Sequence, residues 1–262
     1  MGLAHGTIGW ADVAVPDTAV GEAFYTGLFG WTTETSSDDS MPYTMFAKDG
    51  KVVAGMGPLS PDQQAAGQPP VWTPYVIVDD IDATHDRAKE LGARILMEPI
   101  QILDAGSMFF ALDPVGAAIG FWQSGAHDGA QVFNEVNTMV WNDLGCRDVD
   151  AATAFYTALL GWGSEAMDMA GSEYTVFMVG DRANGGVSDI STTLPDQIPA
   201  HWLTWFRVES ASDAAARTVE LGGSVMKEPA DTPMGVTAIL TDPAGAVFAV
   251  IETEQADGQP DR

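Results

Sequence analysis

The chain carries one set of sequence blocks twice, in the same order. The segment AFYTGLFGW at residues 23–31 returns 131 positions later as AFYTALLGW. Further on, RAKELGARILMEP from Arg87 returns as RTVELGGSVMKEP from Arg217, and LDPVGAAIGFW from Leu112 returns as TDPAGAVFAVI from Thr241. The offset between matched blocks drifts only from 131 to 129 residues. This pattern is typical of a tandem duplication and predicts two domains of one fold.

The domain boundaries follow from the repeat. We predict a first domain at residues 1–124, a linker at 125–132, a second domain at 133–254 and a disordered tail at 255–262. The linker, SGAHDGAQ across the joint, is rich in glycine and polar residues. With 262 residues in total, each half is long enough to bury a core of its own.

Within each half a smaller unit recurs. TIGWADVAV alternates like a strand, Asp17 can cap a helix through GEAFYTGLFG, and three strand-like segments follow. The same order returns after the loop at residues 58–70, with WTPYVIV as the strand and ATHDRAKEL as the helix. The prediction is an α+β fold of four βαβββ units, two in each domain.

Charge and composition exclude several classes of function. The chain has 37 acidic and 11 basic side chains, a net charge of −26, so its field repels nucleic acids and anionic membrane surfaces. No apolar run reaches the roughly 20 residues of a membrane span, and no signal peptide is recognisable. The one cysteine, Cys146, excludes an internal disulfide and is expected to be a buried, inert thiol. We expect a cytoplasmic protein.

Two motifs resemble a known family. One pairs an aspartate with a following F-Y and G-W (Asp17, 24–25 and 30–31, repeated at Asp148, 155–156 and 161–162), and the other is D-P-x-G at 113–116 and 242–245. Together with the fourfold βαβββ order they resemble the vicinal oxygen chelate superfamily of glyoxalases, ring-cleaving dioxygenases and bleomycin-resistance proteins. The resemblance covers nearly the whole chain. It implies two cup-shaped mixed sheets, one in each domain, joined as an intramolecular pseudo-dimer. A further oligomeric state is left open.

The resemblance also implies a divalent metal in each cup, held by His or Gln from a first strand and Glu from a last strand. This chain departs from that pattern. Aligned to the motifs, the ligand positions carry side chains that metals do not select, namely Trp10, Thr73, Gly55 and Gly120 in the first half and Trp141, Leu203, Gly186 and Ala249 in the second. The sequence therefore predicts cups without a metal and a protein without a cofactor.

Aromatic and acidic residues fall on the predicted cup strands instead. Trp10 and Asp12 share one strand face, as do Trp141 and Asp143, because residues two apart point the same way. We predict Asp12 and Asp143 as candidate catalytic groups or anchors for a cationic ligand. The candidate ligand-binding residues are aromatic side chains on these strands: Trp10, Trp72, Tyr75, Trp122, Trp141 and Trp205. Of the pair Trp72 and Tyr75, three residues apart, only one can face inward.

Several functions fit these features. The first is a metal-independent binding protein, like the bleomycin-resistance branch, that holds a hydrophobic aromatic or polycyclic small molecule. The alternative is a metal-independent tailoring enzyme of secondary metabolism, a cyclase, isomerase or hydroxylase-like protein using Asp12 or Asp143 as a base. A metal-dependent lyase or dioxygenase comes third, and a structural protein with filled cups remains open. The two cups are expected to be unequal.

Overall fold

A computed structural model describes residues 2–36, 42–169 and 172–254 of the chain. The predicted tail at 255–262 lies outside this range. In the described part, no helix is both long and apolar enough to cross a membrane.

The first domain contains eight strands and three helices in its described residues. In chain order they are β1 (Ile8–Val15), α1 (Thr18–Phe29), β2 (Thr32–Thr35), β3 (Thr44–Lys48), β4 (Lys51–Pro58), α2 (Pro61–Ala65), β5 (Val71–Ile77), α3 (Ile81–Glu90), β6 (Arg94–Ile102), β7 (Gly106–Leu112) and β8 (Ala118–Ser124).

The second domain repeats the order without a counterpart of α2 among its described residues. Its elements are β9 (Met139–Cys146), α4 (Val149–Leu160), β10 (Gly163–Met169), β11 (Ser172–Val179), β12 (Arg182–Asp189), β13 (His201–Val208), α5 (Ala211–Glu220), β14 (Ser224–Thr232), β15 (Gly235–Thr241) and β16 (Val247–Glu252).

Each domain is one mixed eight-stranded sheet, ordered β2-β3-β4-β1-β5-β8-β7-β6 in the first and β10-β11-β12-β9-β13-β16-β15-β14 in the second. Within a unit the first and last strands run parallel, and the two units join through antiparallel first strands. This confirms the predicted α+β fold of four βαβββ units in two tandem cup-shaped domains. The loop predicted at 58–70 differs, because Ser60 forms a capping box with Gln63 and nucleates the one-turn helix α2.

Local sequence explains where α1 begins and ends. Asp17 accepts backbone N–H bonds from Ala19 and Val20 at the first turn, and Gly30 ends the helix in the left-handed conformation with φ of 69°. Its counterpart α4 is capped by Asp148 and Gly161 in the same way. The repeated D…FY…GW block therefore encodes a helix with both ends specified.

The helix-bearing faces of the two sheets meet. Helix α1 contacts α5, and α3 contacts α4. One hydrophobic cluster joins β1, α1 and β4 of the first domain to β13, α5 and β16 of the second, and another joins the remaining two units. The two domains consequently share their cores, with the cups on the opposite sides of the sheets.

Buried tyrosines link the two domains at the D-P-x-G turns. The Tyr25 hydroxyl donates to Asp242 Oδ2 at 3.0 Å, and the Tyr156 hydroxyl donates to Asp113 Oδ2 at 2.8 Å. The other oxygen of each aspartate accepts backbone N–H bonds that shape its turn. The F-Y motif of each domain is thus hydrogen-bonded to the D-P-x-G turn of the other domain.

The tryptophan of the G-W motif makes a second pair of hydrogen bonds between the domains. The indole N–H of Trp31 donates to the Asn137 carbonyl oxygen, and that of Trp162 donates to the Gly6 carbonyl oxygen, both at 2.8 Å. Asn137 and Gly6 belong to the segments that lead into β9 and β1. Each leading segment therefore binds to the domain that it does not enter.

The residues predicted as a linker pack against the first domain. The backbone N–H of Ala130 donates to the Gly9 carbonyl oxygen, and Gln131 exchanges two hydrogen bonds with the backbone of Val52. These contacts fill the space between β1 and β4 before the two strands pair at Asp12 and Gly55. The segment predicted as a linker therefore lies against the edges of β1 and β4.

Replacing Tyr25 with phenylalanine tests the link between the domains. Tyr25→Phe leaves Asp242 Oδ2 and the Trp72 indole N–H, which donates to the Tyr25 hydroxyl at 2.9 Å, without that partner. We expect the free energy of unfolding to fall by about 1–3 kcal/mol in urea titrations. Val20→Ala, at an exposed position of the same helix, should change it by less than about 0.5 kcal/mol. Equal effects of the two variants would contradict a stabilising role for the shared hydroxyl.

Candidate functional site

The cup face of the first domain is the sheet face turned away from the helices. Val15 lies against Gly21 of α1, so residues in phase with Val15 face the helices and Trp10, Asp12 and Ala14 face the cup. Opposite them on β5, Trp10 pairs with Tyr75 and Asp12 pairs with Thr73. We call this side cup 1 and the equivalent side of the second domain cup 2.

In cup 1 the Asp12 carboxylate accepts hydrogen bonds from two tyrosine hydroxyls. Asp12 Oδ2 accepts hydrogen bonds from Tyr75 at 2.7 Å and from Tyr43 at 3.0 Å, and the Trp10 indole N–H donates to the Tyr43 hydroxyl. No hydrogen bond from a described residue reaches Asp12 Oδ1. The predicted residues Trp10, Asp12 and Tyr75 are therefore brought together, and one carboxylate oxygen keeps its capacity to accept.

Burial dominates the titration of this group. Desolvation raises the pKa of Asp12 to about 6, although the Tyr75 and Tyr43 hydrogen bonds act in the opposite direction. Burial and the nearby Asp12 charge raise the pKa of both tyrosines well above the ordinary value, so both remain hydrogen-bond donors. Asp12 can accordingly exchange a proton close to neutral pH.

Glycines leave room for the tyrosine rings. A Cβ atom on Gly55 would lie 2.0 Å from the Tyr43 hydroxyl oxygen, one on Gly120 would lie 2.5 Å from the Tyr75 ring, and one on Gly186 would lie 1.9 Å from the Tyr174 hydroxyl oxygen. These are the positions where the family resemblance implies a metal-binding glutamate. Tyrosine side chains occupy the space that a carboxylate would need.

The cup residues do not fit a divalent metal. In the described part of the chain, no group of three or more His, Cys, Asp and Glu side chains is arranged to hold one. Asp12 and Asp143 are surrounded by indole and phenol donors, which are not the ligands that divalent ions select.

A histidine from the connecting segment packs against two tryptophans of cup 1. The His127 ring packs edge-on against Trp10, with centroids 4.5 Å apart, and against Trp122 at 5.6 Å. The Trp122 indole N–H donates to the His127 carbonyl oxygen, and Tyr75 packs on Phe110. The predicted ligand-binding residues Trp10, Tyr75 and Trp122 thus lie in or beside cup 1, where they pack against other rings of the protein.

Cup 2 has the same backbone with different packing. Asp143 Oδ1 accepts from the Trp141 indole N–H at 2.9 Å and from the Tyr174 hydroxyl, and Trp141 also donates to that hydroxyl. Trp205 occupies the position of Tyr75 and pairs with Trp141 across the strands. Trp141 and Trp205 are half-buried, and neither they nor Tyr174 pack on an aromatic ring of a described residue.

Trp205 lies close to the carboxylate. Burial raises the pKa of Asp143, and the hydrogen bonds of Tyr174 and Trp141 and the nearby Trp205 N–H lower it. The Trp205 indole nitrogen is itself buried without a hydrogen bond of normal geometry to a described residue. The predicted trio Trp141, Asp143 and Trp205 therefore forms one cluster.

The prediction for Trp72 is wrong. Trp72 pairs with Val13 on the helix-facing side of the sheet, is 1% exposed and donates to the Tyr25 hydroxyl. It belongs to the core between the domains, as does its counterpart Trp202, which donates to Tyr156. The alternation of side chains along β5 allowed either Trp72 or Tyr75 to face the cup. In the structure Tyr75 faces the cup and Trp72 faces the helices.

Sequence reasoning gave too little weight to two kinds of residue. Tyr43 and Tyr174, which are absent from the predicted site residues, lie beside Asp12 and Asp143, and their repetition 131 positions apart is a usable sequence signal. His127 was assigned to the linker, and no pattern in the sequence indicates its contact with Trp10. Cys146 is buried, and burial raises the pKa of its thiol to about 11, so it is an inert core residue as expected.

The raised pKa of Asp12 predicts how stability depends on pH. An acid with a higher pKa in the folded than in the unfolded state holds its proton more tightly when folded, so stability falls as pH rises through about 4 to 6. We expect this group to account for a loss of about 2–3 kcal/mol across that window. Asp12→Asn should remove that part of the slope in urea titrations between pH 4 and 7. Parallel profiles for the two proteins would contradict the assignment.

Comparison with known families matches both halves. Residues 7–121 match the Glyoxalase/Bleomycin resistance protein/Dioxygenase superfamily, and residues 139–251 match a glyoxalase-like domain.

Two relatives align along nearly the whole chain. The chain is 39% identical over 255 residues to the Mycobacterium bovis protein named "Putative glyoxylase CFP32", covering 95% of each chain. It is 37% identical over 264 residues to "Anthracycline biosynthesis protein DnrV" of Streptomyces peucetius, covering 97% of this chain and 95% of that protein.

Solved structures at low identity share the fold. The Mn(II)-bound glyoxalase from Novosphingobium aromaticivorans has a TM-score of 0.62 at 16% identity, covering 97% of this chain and 85% of that one. The 2,2',3-trihydroxybiphenyl 1,2-dioxygenase from Sphingomonas wittichii has a TM-score of 0.63 at 13% identity, covering 95% of this chain and 90% of that one. With both halves and the full length matched, the chain belongs to the Glyoxalase/Bleomycin resistance protein/Dioxygenase superfamily.

Proposed function

We propose that the protein binds a hydrophobic, planar aromatic or polycyclic small molecule in cup 2 without the help of a metal. The observation that carries this proposal is the contrast between the cups. In cup 1 the rings of Trp10, Tyr75 and Trp122 pack against other rings of the protein, whereas those of Trp141 and Trp205 pack on none in the described residues. Half-buried indole faces beside a carboxylate suit a flat organic ligand.

The relatives support a role in secondary metabolism. The Streptomyces peucetius relative is named for anthracycline biosynthesis, and it aligns along nearly the whole of this chain. A relative named as a glyoxylase aligns equally well, yet the cups of this protein offer no set of metal ligands in the described residues. Binding of an organic molecule needs only shape, apolar surface and a polar anchor, and the half-buried Trp141 and Trp205 beside Asp143 support such a role.

Truncating Trp205 tests the binding site. Trp205→Ala should weaken the binding of 2-naphthylmethanol, a neutral planar probe, by about tenfold or more, because it removes a stacking surface. Isothermal titration calorimetry should give one site per chain. Trp10→Ala, at the cup 1 position equivalent to Trp141, is the comparison variant in the other cup. A larger loss with Trp10→Ala would move the site to cup 1, and no loss with Trp205→Ala would reject the proposal.

A second function is favoured by the proton chemistry of cup 1. Asp12, with a pKa of about 6, stands between two hydroxyl donors and has a free acceptor oxygen. Such a carboxyl can take a proton from a carbon acid and return it elsewhere, and the hydroxyls can stabilise the enolate oxygen. Of the tailoring reactions predicted from the sequence, isomerisation and cyclisation need only this proton transfer.

Hydrogen–deuterium exchange separates the two functions. If Asp12 acts as a base, the protein should accelerate the uptake of deuterium at the α-carbons of 2-tetralone, followed by NMR in D₂O. Asp12→Asn should abolish the acceleration because an amide is not a base at neutral pH. An unchanged rate in the variant, or no acceleration by the unaltered protein, would reject the enzymatic function and leave the binding function standing.

A further inference from the structure

We propose that the ketone on which Asp12 acts in cup 1 is neutral and apolar, with its hydrocarbon body lying on the side chains of Met97, Ile100, Met108 and Phe110. We call these four side chains the apolar floor. This inference rests on the proton-transfer function proposed for cup 1 and names its class of substrate. Strand register, exposure, charge and the contrast with cup 2 support it.

Two rows of paired residues carry the apolar floor across the cup 1 face to the edge strand β6. The first row consists of Trp10, Tyr75, Gly120, Phe110 and Met97. The second row consists of Trp122, Met108 and Ile100. Residues paired on neighbouring strands share a face of the sheet, so the apolar floor lies on the same side as Trp10 and Tyr75. Neither row contains a charged side chain.

The apolar floor is open to solvent. Ile100 is 39% exposed and the other three residues of the floor are partly exposed. Phe109 and Ala111, which alternate with floor residues along β7, are fully buried on the helix side. Asp12 also retains partial exposure on the cup side. Contiguous apolar side chains that stay exposed beside a polar group are typical of a surface that a ligand covers.

Tyr75 connects the apolar floor to the carboxylate. Its ring packs on the Phe110 ring with centroids 5.3 Å apart, and its hydroxyl donates to Asp12 Oδ2 at 2.7 Å. A molecule lying on Phe110 is therefore one phenol ring away from Asp12. Hydrocarbon on the floor places a carbonyl group at its end beside the hydroxyl and the carboxylate.

The proton transfer at that point is balanced without another reactant. Asp12 takes a proton from the carbon next to the carbonyl, and the electron pair of the broken C–H bond forms the enolate. Protonated Asp12 is a weaker hydrogen-bond acceptor, so the Tyr75 hydroxyl can donate to the enolate oxygen instead. The proton, or a deuteron from solvent, then returns from Asp12 to carbon.

The charges around the floor favour a neutral molecule. Glu98, the acid between Met97 and Ile100 on β6, faces the helix side, where its Oε2 lies 2.9 Å from the Nε2 of His85. The floor itself offers no cation to an anionic substrate, and the net charge of −26 repels one.

Cup 2 lacks this surface. By the same strand register, the positions of Met97, Ile100, Met108 and Phe110 are taken in the second domain by Lys227, Ala230, Thr237 and Ile239. Two of the four positions are polar there and a third carries only a methyl group. Methionine, being flexible and polarisable, adapts to irregular apolar ligands, and lysine and threonine do not replace it in this role. The inference therefore applies to cup 1 alone.

Three cyclic ketones test the preference for hydrocarbon. We would follow deuterium uptake at the α-carbons of cyclohexanone, 2-decalone and tetrahydropyran-4-one by NMR in D₂O, each corrected for the rate without protein. The value of kcat/KM should be about tenfold or more higher for 2-decalone than for cyclohexanone, because the second ring covers apolar surface. It should be about threefold or more lower for tetrahydropyran-4-one, whose ether oxygen replaces a methylene group.

Three variants locate the preference on the sheet. Met108→Thr and Met97→Lys each introduce the residue that cup 2 carries at the same position, and each should lower the ratio of 2-decalone to cyclohexanone by about threefold or more. Thr237→Met is the matched control in cup 2 and should leave the ratio unchanged. Urea titration shows whether each variant folds. Met97→Lys serves if Met108→Thr does not fold, because lysine is common on edge strands.

The outcomes separate this inference from the proton-transfer function. Equal kcat/KM values for cyclohexanone and 2-decalone, or a ratio that Met108→Thr and Met97→Lys leave unchanged, would overturn the apolar floor. Exchange that still depended on Asp12 would keep the enzymatic function in that case. A ratio altered by Thr237→Met would move the surface to cup 2 and overturn the inference as well. Exchange with none of the ketones would reject the function and the inference together.

Discussion

The hydrogen bond between a helix tyrosine and the aspartate of the other domain's D-P-x-G turn is the interaction on which the arrangement of this protein depends. Tyr25 and Asp242, and their counterparts Tyr156 and Asp113, are buried and far apart in sequence. Each aspartate also holds its own turn through backbone N–H bonds. A buried polar network of this kind is favourable only when every member is satisfied. It fixes the helix faces against each other and leaves the two cups on the outer sides.

Duplication gave two cups with one backbone, and a few substitutions made them chemically different. In cup 1, Tyr75 on β5 and Tyr43 both donate hydrogen bonds to the Asp12 carboxylate. In cup 2 a tryptophan at the equivalent position, Trp205, places an indole N–H near Asp143. The connecting segment also packs His127 against Trp10 in the first cup. One backbone thereby carries two different sets of side chains around the cup carboxylates, Asp12 and Asp143.

The sequence predicted the fold well because its information is local and repeated. The blocks at 23–31 and 154–162 specify a capped helix, and strand alternation predicts most of the sheet. Contacts between distant segments could not be read in this way. The alternation along β5 left open whether Trp72 or Tyr75 faces the cup, and nothing local indicates that His127 packs on Trp10. The F-Y and D-P-x-G motifs were recognised, but not that they meet across the domains.

The crossing of the leading segments has a consequence for assembly. Residue Gly6 completes the second domain and Asn137 completes the first, much as exchanged arms complete a domain-swapped dimer. Two separate subunits joined in this way would dissociate on dilution. Here the covalent connection makes the encounter intramolecular, at an effective concentration that dilution cannot lower. The paired architecture is thus kept at any expression level, and the two halves are free to diverge without losing each other.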